Sequence, residues 1–183
     1  MGDAAGNPRP LWSVAAGGGG LTAIEIGKAM GAKVIAGAST QEKLDAALSR
    51  GADETLNYVE NDLREEVDRI TEGEGVNVVF DPVGGDLFDP ALSSLTWGGR
   101  ILLVGFVGGV PKIPANRLLV KHRAALGSSL RYFRWYAPDK LQRSVEELLR
   151  WYGERKLTPL VTEKYPLSEA PQAITRLTAR QAF

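Results

Sequence analysis

One feature constrains the fold of this chain more than any other. Short, β-branched apolar runs recur between longer amphipathic stretches along nearly its whole length. The runs are Leu11–Ala15, Lys33–Ala38, Glu54–Asn57, Asn77–Asp81, Arg100–Gly105 and Arg123–Leu130. Between them lie helical patterns. Leu63, Val67 and Ile70 fall on one helical face, with Asp62, Glu65, Glu66 and Asp68 on the other turns. Thr40 is placed to cap the helix holding Leu44, Ala47 and Leu48, and Gly51 stands where a helix C-terminus favours a left-handed residue. Leu141, Val145, Leu148, Leu149 and Tyr152 mark a later, longer helix. Strand–helix alternation at this spacing implies βαβ units around a parallel sheet buried on both faces. The expectation is α/β: a Rossmann-type, doubly wound, six-stranded parallel sheet of order 3-2-1-4-5-6, with helices on both faces.

Where such a sheet follows its first strand with glycines, an anion site is expected. Gly17, Gly18, Gly19 and Gly20 open the Leu21–Met30 helical stretch. Glycine permits the turn, and its missing Cβ lets a pyrophosphate approach the main chain. The helix N-terminus then offers free N–H groups and partial positive charge. No Lys-Ser/Thr pair follows, so the run is not a Walker A loop. The next strand ends Ala36-Gly37-Ala38-Ser39-Thr40, without the acid that NAD binders place ~20 residues beyond the glycines. Ser39 and Thr40 can donate to a 2′-phosphate, Lys43 adds a charge one turn on, and Glu42 should face solvent. NADP(H) is the expected cofactor. Taken alone, each of these residues also reads plainly as a turn glycine, a cap or a surface lysine.

Composition narrows the remaining classes. Lys plus Arg and Asp plus Glu both number 22 among 183 residues, giving no electrostatic reason for a nucleic-acid or anionic-membrane partner. With no cysteine, disulfides and thiolate metal sites are excluded, and His122 alone cannot make a histidine zinc site. No metal is expected. No apolar run approaches the ~20 residues of a membrane span, so a cytoplasmic protein is the default. His122 reads as a surface or strand-edge residue, and Lys121-His122-Arg123 as a solvated turn. Tyr132, Phe133, Trp135 and Tyr136 read first as core packing or a subunit interface, second as a cleft wall.

The stretch AAGGGGLTAIEIGKAMGAKVIAGASTQEKLDAALSRGADETLNY resembles the coenzyme domain of the zinc-free quinone oxidoreductases, a branch of the medium-chain dehydrogenases/reductases. So do DPVGGDLFDPALSSLTWGGRILLVGF, IPANRLLVKH and the closing YPLSEAPQAI, in the same order. The resemblance covers 11–183, leaving 1–10 as an irregular N-terminal segment or artificial remnant. It implies hydride transfer from NADPH to a quinone or α,β-unsaturated carbonyl. By the same resemblance Gly17, Gly18 and Gly20 match the pyrophosphate turn. Ser39, Lys43 and Tyr58 match the surroundings of the 2′-phosphate. Val83 and Gly84 match a turn under the adenosine ribose, and Val104, Gly105 and Phe106 match main chain near the nicotinamide. No residue is assigned a catalytic role.

The chain departs from the family pattern at Val14, which crowds the turn, and at Gly19, where Gly costs ~1 kcal/mol against Ala in a helix interior. The family's N-terminal barrel-like catalytic domain is not in the sequence, so weak or absent turnover is expected of this chain alone. The resemblance also implies a homodimer paired through the apolar edge Ala124–Leu130. Two other classes remain open. One is a non-catalytic NADP(H)-binding or dimerisation module. The other, more remote, is an S-adenosylmethionine-dependent methyltransferase, which would normally carry an acid after the second strand.

Overall fold

The computed structural model describes residues 11–13 and 18–178. It has the Rossmann-like α/β architecture that the alternation implied. In chain order the elements are β1 (Leu11–Ser13), α1 (Gly18–Ala29), β2 (Val34–Ala38), α2 (Gln41–Ser49), β3 (Glu54–Asn57), α3 (Leu63–Ile70) and β4 (Val76–Asp81). Then follow α4 (Phe88–Ser93), β5 (Leu95–Leu103), α5 (Ala115–Val120), β6 (Ala124–Gly127), α6 (Leu130–Tyr136), α7 (Pro138–Gly153) and α8 (Ala170–Thr178). The strands pair in the order β3-β2-β1-β4-β5-β6, every neighbour parallel. The order reverses between β1 and β4, and a ligand crevice is expected beyond the strand C-termini at that point.

Side-chain alternation along β2 shows why the sheet needs helices on two faces. Val34, Ala36 and Ala38 point into a core with Leu21 and Ile24 of α1 and Leu44 and Ala47 of α2. Ile35, between them, joins the opposite core with Leu63 and Val67 of α3 and Phe88, Ala91 and Leu92 of α4. A period-2 strand buried on both sides must be apolar throughout, and all five β2 residues are buried. Ile70 packs at the margin of the second core, completing the predicted α3 face. Asp53 ties this half together. Its carboxylate accepts from Lys28 Nζ at 2.7 and 2.8 Å and from Val34 N at 2.7 Å. Burial pushes that carboxyl up, but the bonds from Lys28 and Val34 and the charges of Lys28 and Lys33 outweigh it and hold it below its ordinary value.

Several local expectations need correction. Thr40 occupies the N-cap of α2 with extended backbone, but its side chain makes no capping bond. The cap that forms is at α3, where Asp62 accepts from Glu65 N at 3.0 Å. Gly51 does take the left-handed conformation after α2, at φ +93°. β5 begins at Leu95, earlier than its apolar run suggests. Leu95 pairs with Val76, the register shifts, and pairing resumes from Arg100 opposite Val78. The intervening Trp97-Gly98-Gly99, with Gly98 at φ +72°, disguises the strand's start. β6 is shorter than Ala124–Leu130: it ends at Gly127, and Leu130 opens α6.

The largest departure concerns the C-terminal third. Helices α5, α6 and α7 contain no buried residue. Tyr132, Phe133, Trp135 and Tyr136 are exposed on α6, so they are not core residues of this chain. Three of them contact one another instead, with Tyr132 edge-on to Trp135 and stacked near Tyr136. Leu157, just past α7, is buried and anchors the returning chain. No helix among the described residues is long and apolar enough to cross a membrane.

Candidate nucleotide-binding crevice

Gly18, Gly19 and Gly20 form the first turn of α1, while Val14 and Gly17 lie outside the described residues. A Cβ added at Gly18 or Gly19 would meet nothing within 4 Å. Among the described residues, these glycines therefore serve no close packing of the chain on itself, and the space above them is open. Gly20 is buried against the sheet side. The first turn carries no acid, so nothing in it competes with an anion for the free N–H groups.

The glycines beyond β4 and β5 have a different duty. The two loops are laced together: Val104 N donates to Asp81 O at 3.0 Å, Gly108 N to Val83 O at 2.8 Å, and Gly85 N to Gly109 O at 2.9 Å. A Cβ at Gly84, which has φ +64°, would stand 2.5 Å from Gly109 O, and one at Gly105 2.6 Å from Pro82 O. Both glycines are required by the approach of main chain to main chain. Their plain interpretation as turn residues thus has a physical basis, whatever else they contact. Val83 is half-buried against the core, whereas Val104 and Phe106 are exposed at the crevice mouth.

Asp81, at the end of β4, is a residue that pattern reading passed over. It is fully buried, and its Oδ1 accepts from Val83 N at 2.9 Å and Gly84 N at 2.8 Å. Its Oδ2 has no hydrogen-bond partner among the described residues. An unpaired buried carboxylate oxygen is costly. The sequence signal was an acid closing an otherwise apolar run before Pro-Val-Gly-Gly.

At the end of β2, Ser39 is half-buried, Thr40 exposed, Lys43 half-buried and Glu42 exposed. Tyr58 N donates to Ala38 O at 3.2 Å, which brings Tyr58 beside Ser39 from the end of β3. Ser39 and Lys43 follow the end of β2 and Tyr58 follows the end of the neighbouring β3, with no acid closing β2. A cavity of about 150 Å³ runs along α1 from Gly18, lined by Leu21, Thr22, Glu25, Arg50, Pro159 and Leu160. A wider groove of about 620 Å³ lies between α6 and α7, around Phe133, Lys140 and Trp151, and shares no residue with the glycine turn.

The Lys121–Arg123 cluster lies at the opposite, N-terminal end of β6. His122 is exposed with φ +53°, and its ring stacks on Trp97 at 5.4 Å. Lys121 is exposed too, but Arg123 is not part of a solvated turn. Its guanidinium donates to Ser93 O at 3.0 Å and to the Leu95 carbonyl, and burial, then the charges of Arg64 and Arg117, lowers its pKa. Arg123 closes carbonyls at the α4–β5 junction.

Comparison with known proteins fits this geometry. The family model described as zinc-binding dehydrogenase matches residues 18–151. Quinone oxidoreductase-like protein 2 of Bos taurus is 38% identical over 174 residues, covering 94% of this chain and 50% of that protein. Quinone oxidoreductase 1 of Escherichia coli K12 is 33% identical over 174 residues, covering 93% and 53%. The crystal structure of Escherichia coli quinone oxidoreductase complexed with NADPH superimposes with a TM-score of 0.84 at 32% identity, over 95% of this chain and 55% of that one. The chain spans about half the length of the curated relatives it matches. The family's description mentions zinc, but these residues do not fit that ion. The sequence has no cysteine and one histidine, and the described residues hold no cluster of three or more His, Cys, Asp or Glu. On these matches the chain belongs to the zinc-binding dehydrogenase family of the medium-chain dehydrogenases/reductases, on its quinone oxidoreductase-like branch.

Proposed function

We propose that this chain is the NADP(H)-binding domain of an oxidoreductase that reduces a quinone or α,β-unsaturated carbonyl. Its six parallel strands are then the complete doubly wound dinucleotide-binding unit. The observation that carries this is the pair of open glycines, Gly18 and Gly19, at the N-terminus of α1, at the switch point of a parallel sheet. A cofactor pyrophosphate fills the space that no side chain among the described residues approaches. The unpaired Oδ2 of Asp81 supports it, as a buried acceptor at the strand end where a ligand is expected.

Ser39, Thr40 and Lys43 favour NADP(H) over NAD: hydroxyl donors and a cation suit a 2′-phosphate, and no carboxylate stands there to take a ribose hydroxyl. Tyr58 packs beside that phosphate. Val83 and Gly84 line the adenosine ribose, and Val104, Gly105 and Phe106 bring main chain to the nicotinamide. NADPH supplies the hydride when bound, while the chain's own part is to bind and orient. The substrate pocket needs a further wall from the remainder of the protein, so turnover by this chain alone should be slight. Lys43→Ala is expected to weaken NADPH about tenfold and leave NADH unchanged, the scale of one lost charge-assisted contact. Titration by nicotinamide fluorescence checks it, and equal losses for both cofactors would contradict the 2′-phosphate assignment.

The protein further pairs through β6. Among the described residues this strand ends the sheet with only β5 beside it, and Leu126 and the aromatics of α6, which follows it, are exposed. A homodimer mass by light scattering at micromolar concentration is the expected result. A single-chain mass contradicts it.

A further inference from the structure

Glu25 is an acid on the inward face of α1, only 6% exposed, between Leu21 and Ile24 on one side and Arg50 on the other. Its Oε1 accepts from Arg50 Nη1 at 3.3 Å and from Thr158 Oγ1 at 3.0 Å, and its Oε2 from Thr158 N at 3.2 Å. Arg50 Nη1 also donates to Thr158 Oγ1 at 3.1 Å and to the Thr158 carbonyl. Every polar group of Thr158 is therefore held by this one ion pair, across 133 and 108 residues of chain. Leu157 is buried on one side of Thr158, and Pro159 stiffens the other. The result is that Pro159 and Leu160 face Gly18 and Thr22 across the 150 Å³ cavity.

A buried ion pair is a poor way to gain stability, because desolvation offsets much of the attraction. Here Arg50 Nε is also buried without a partner. What such a pair fixes well is position. We propose that Glu25 is a positioning residue of the cofactor site: it latches the segment after α7 onto α1, so that Pro159–Leu160 walls the pyrophosphate end of the crevice. The inference rests on the NADP(H) assignment above.

Thr158→Val removes the hydroxyl from the latch and keeps the main-chain bond, while Glu25→Gln removes the charge. Both are titrated with NADPH and with adenosine 2′-monophosphate, which carries neither phosphate of the pyrophosphate. The expected result is about tenfold weaker NADPH binding, the monophosphate unchanged, and recovery in Thr158→Ser. Amide exchange at Thr158 and Leu160, slowed by NADPH in the wild type, should lose that protection in both variants. Equal weakening of both ligands would mean general loosening and overturn the proposal, as would no change in either. A wild-type chain that binds neither ligand contradicts the NADP(H) assignment, and the latch proposal falls with it.

Discussion

Gly18→Asp is expected to weaken NADPH at least about hundredfold while the protein stays folded, with its thermal midpoint unchanged or raised. The two effects have opposite signs for a physical reason. An acid in the first turn of α1 interacts favourably with the helix dipole, and the turn carries none at present. A Cβ at Gly18 meets nothing within 4 Å among the described residues, so the fold accommodates the side chain. The same carboxylate then occupies the space left for a pyrophosphate. Two like charges about 4 Å apart repel by roughly 4 kcal/mol at an effective dielectric of 20, so a hundredfold loss (about 2.7 kcal/mol) is a modest estimate. Calorimetric titration with a melting curve on the same sample decides it. Wild-type affinity in the variant would remove the glycine turn from the site.

Gly84→Ala should behave the other way, losing stability first and affinity as a consequence. Gly84 sits at φ +64°, ψ −143°, a region essentially closed to residues with a Cβ. The new Cβ would also lie 2.5 Å from Gly109 O. Relieving that contact means parting the β4 and β5 loops, at the expense of the Gly85–Gly109 and Gly108–Val83 hydrogen bonds. Strain of ~1–3 kcal/mol and two bonds of ~1 kcal/mol each suggest a loss of roughly 3 kcal/mol. For a chain of this size that is a fall of about 6–12 °C in Tm. A variant with an unshifted melting curve would show that the loops are not laced as described. The two substitutions thus separate glycines kept for a ligand from glycines kept for the chain itself.

That distinction was not legible in the sequence, where Gly18 and Gly84 read alike as glycines after strands. The alternation and the helical faces of α2 and α3 were legible, because periodic burial is a local property. Capping at α3 was legible in principle: Asp62 with Glu65 three residues on has the capping-box spacing. Arg123 read as solvated because its acceptors at Ser93 and Leu95 lie about thirty residues away and are carbonyls, which leave no mark on side-chain pattern. Glu25 and Asp81 were missed for related reasons. Each is an acid at an apolar position, a local inconsistency that is itself a usable signal. What the acid holds is set by contacts such as that with Thr158, 133 residues on. The aromatic group on α6 read as core packing or a subunit interface; its exposure removes the first and leaves the second, since large apolar residues predict burial against something, not burial within this chain.

The most direct test of the central claim is a binding titration of the purified chain with NADPH and NADH, with S-adenosylmethionine as a third ligand. An open glycine turn joined to an acid-free β2 end predicts saturable NADPH binding, at least about tenfold tighter than NADH, and none of S-adenosylmethionine. NADH bound as tightly as NADPH, or no dinucleotide bound at all, would contradict it.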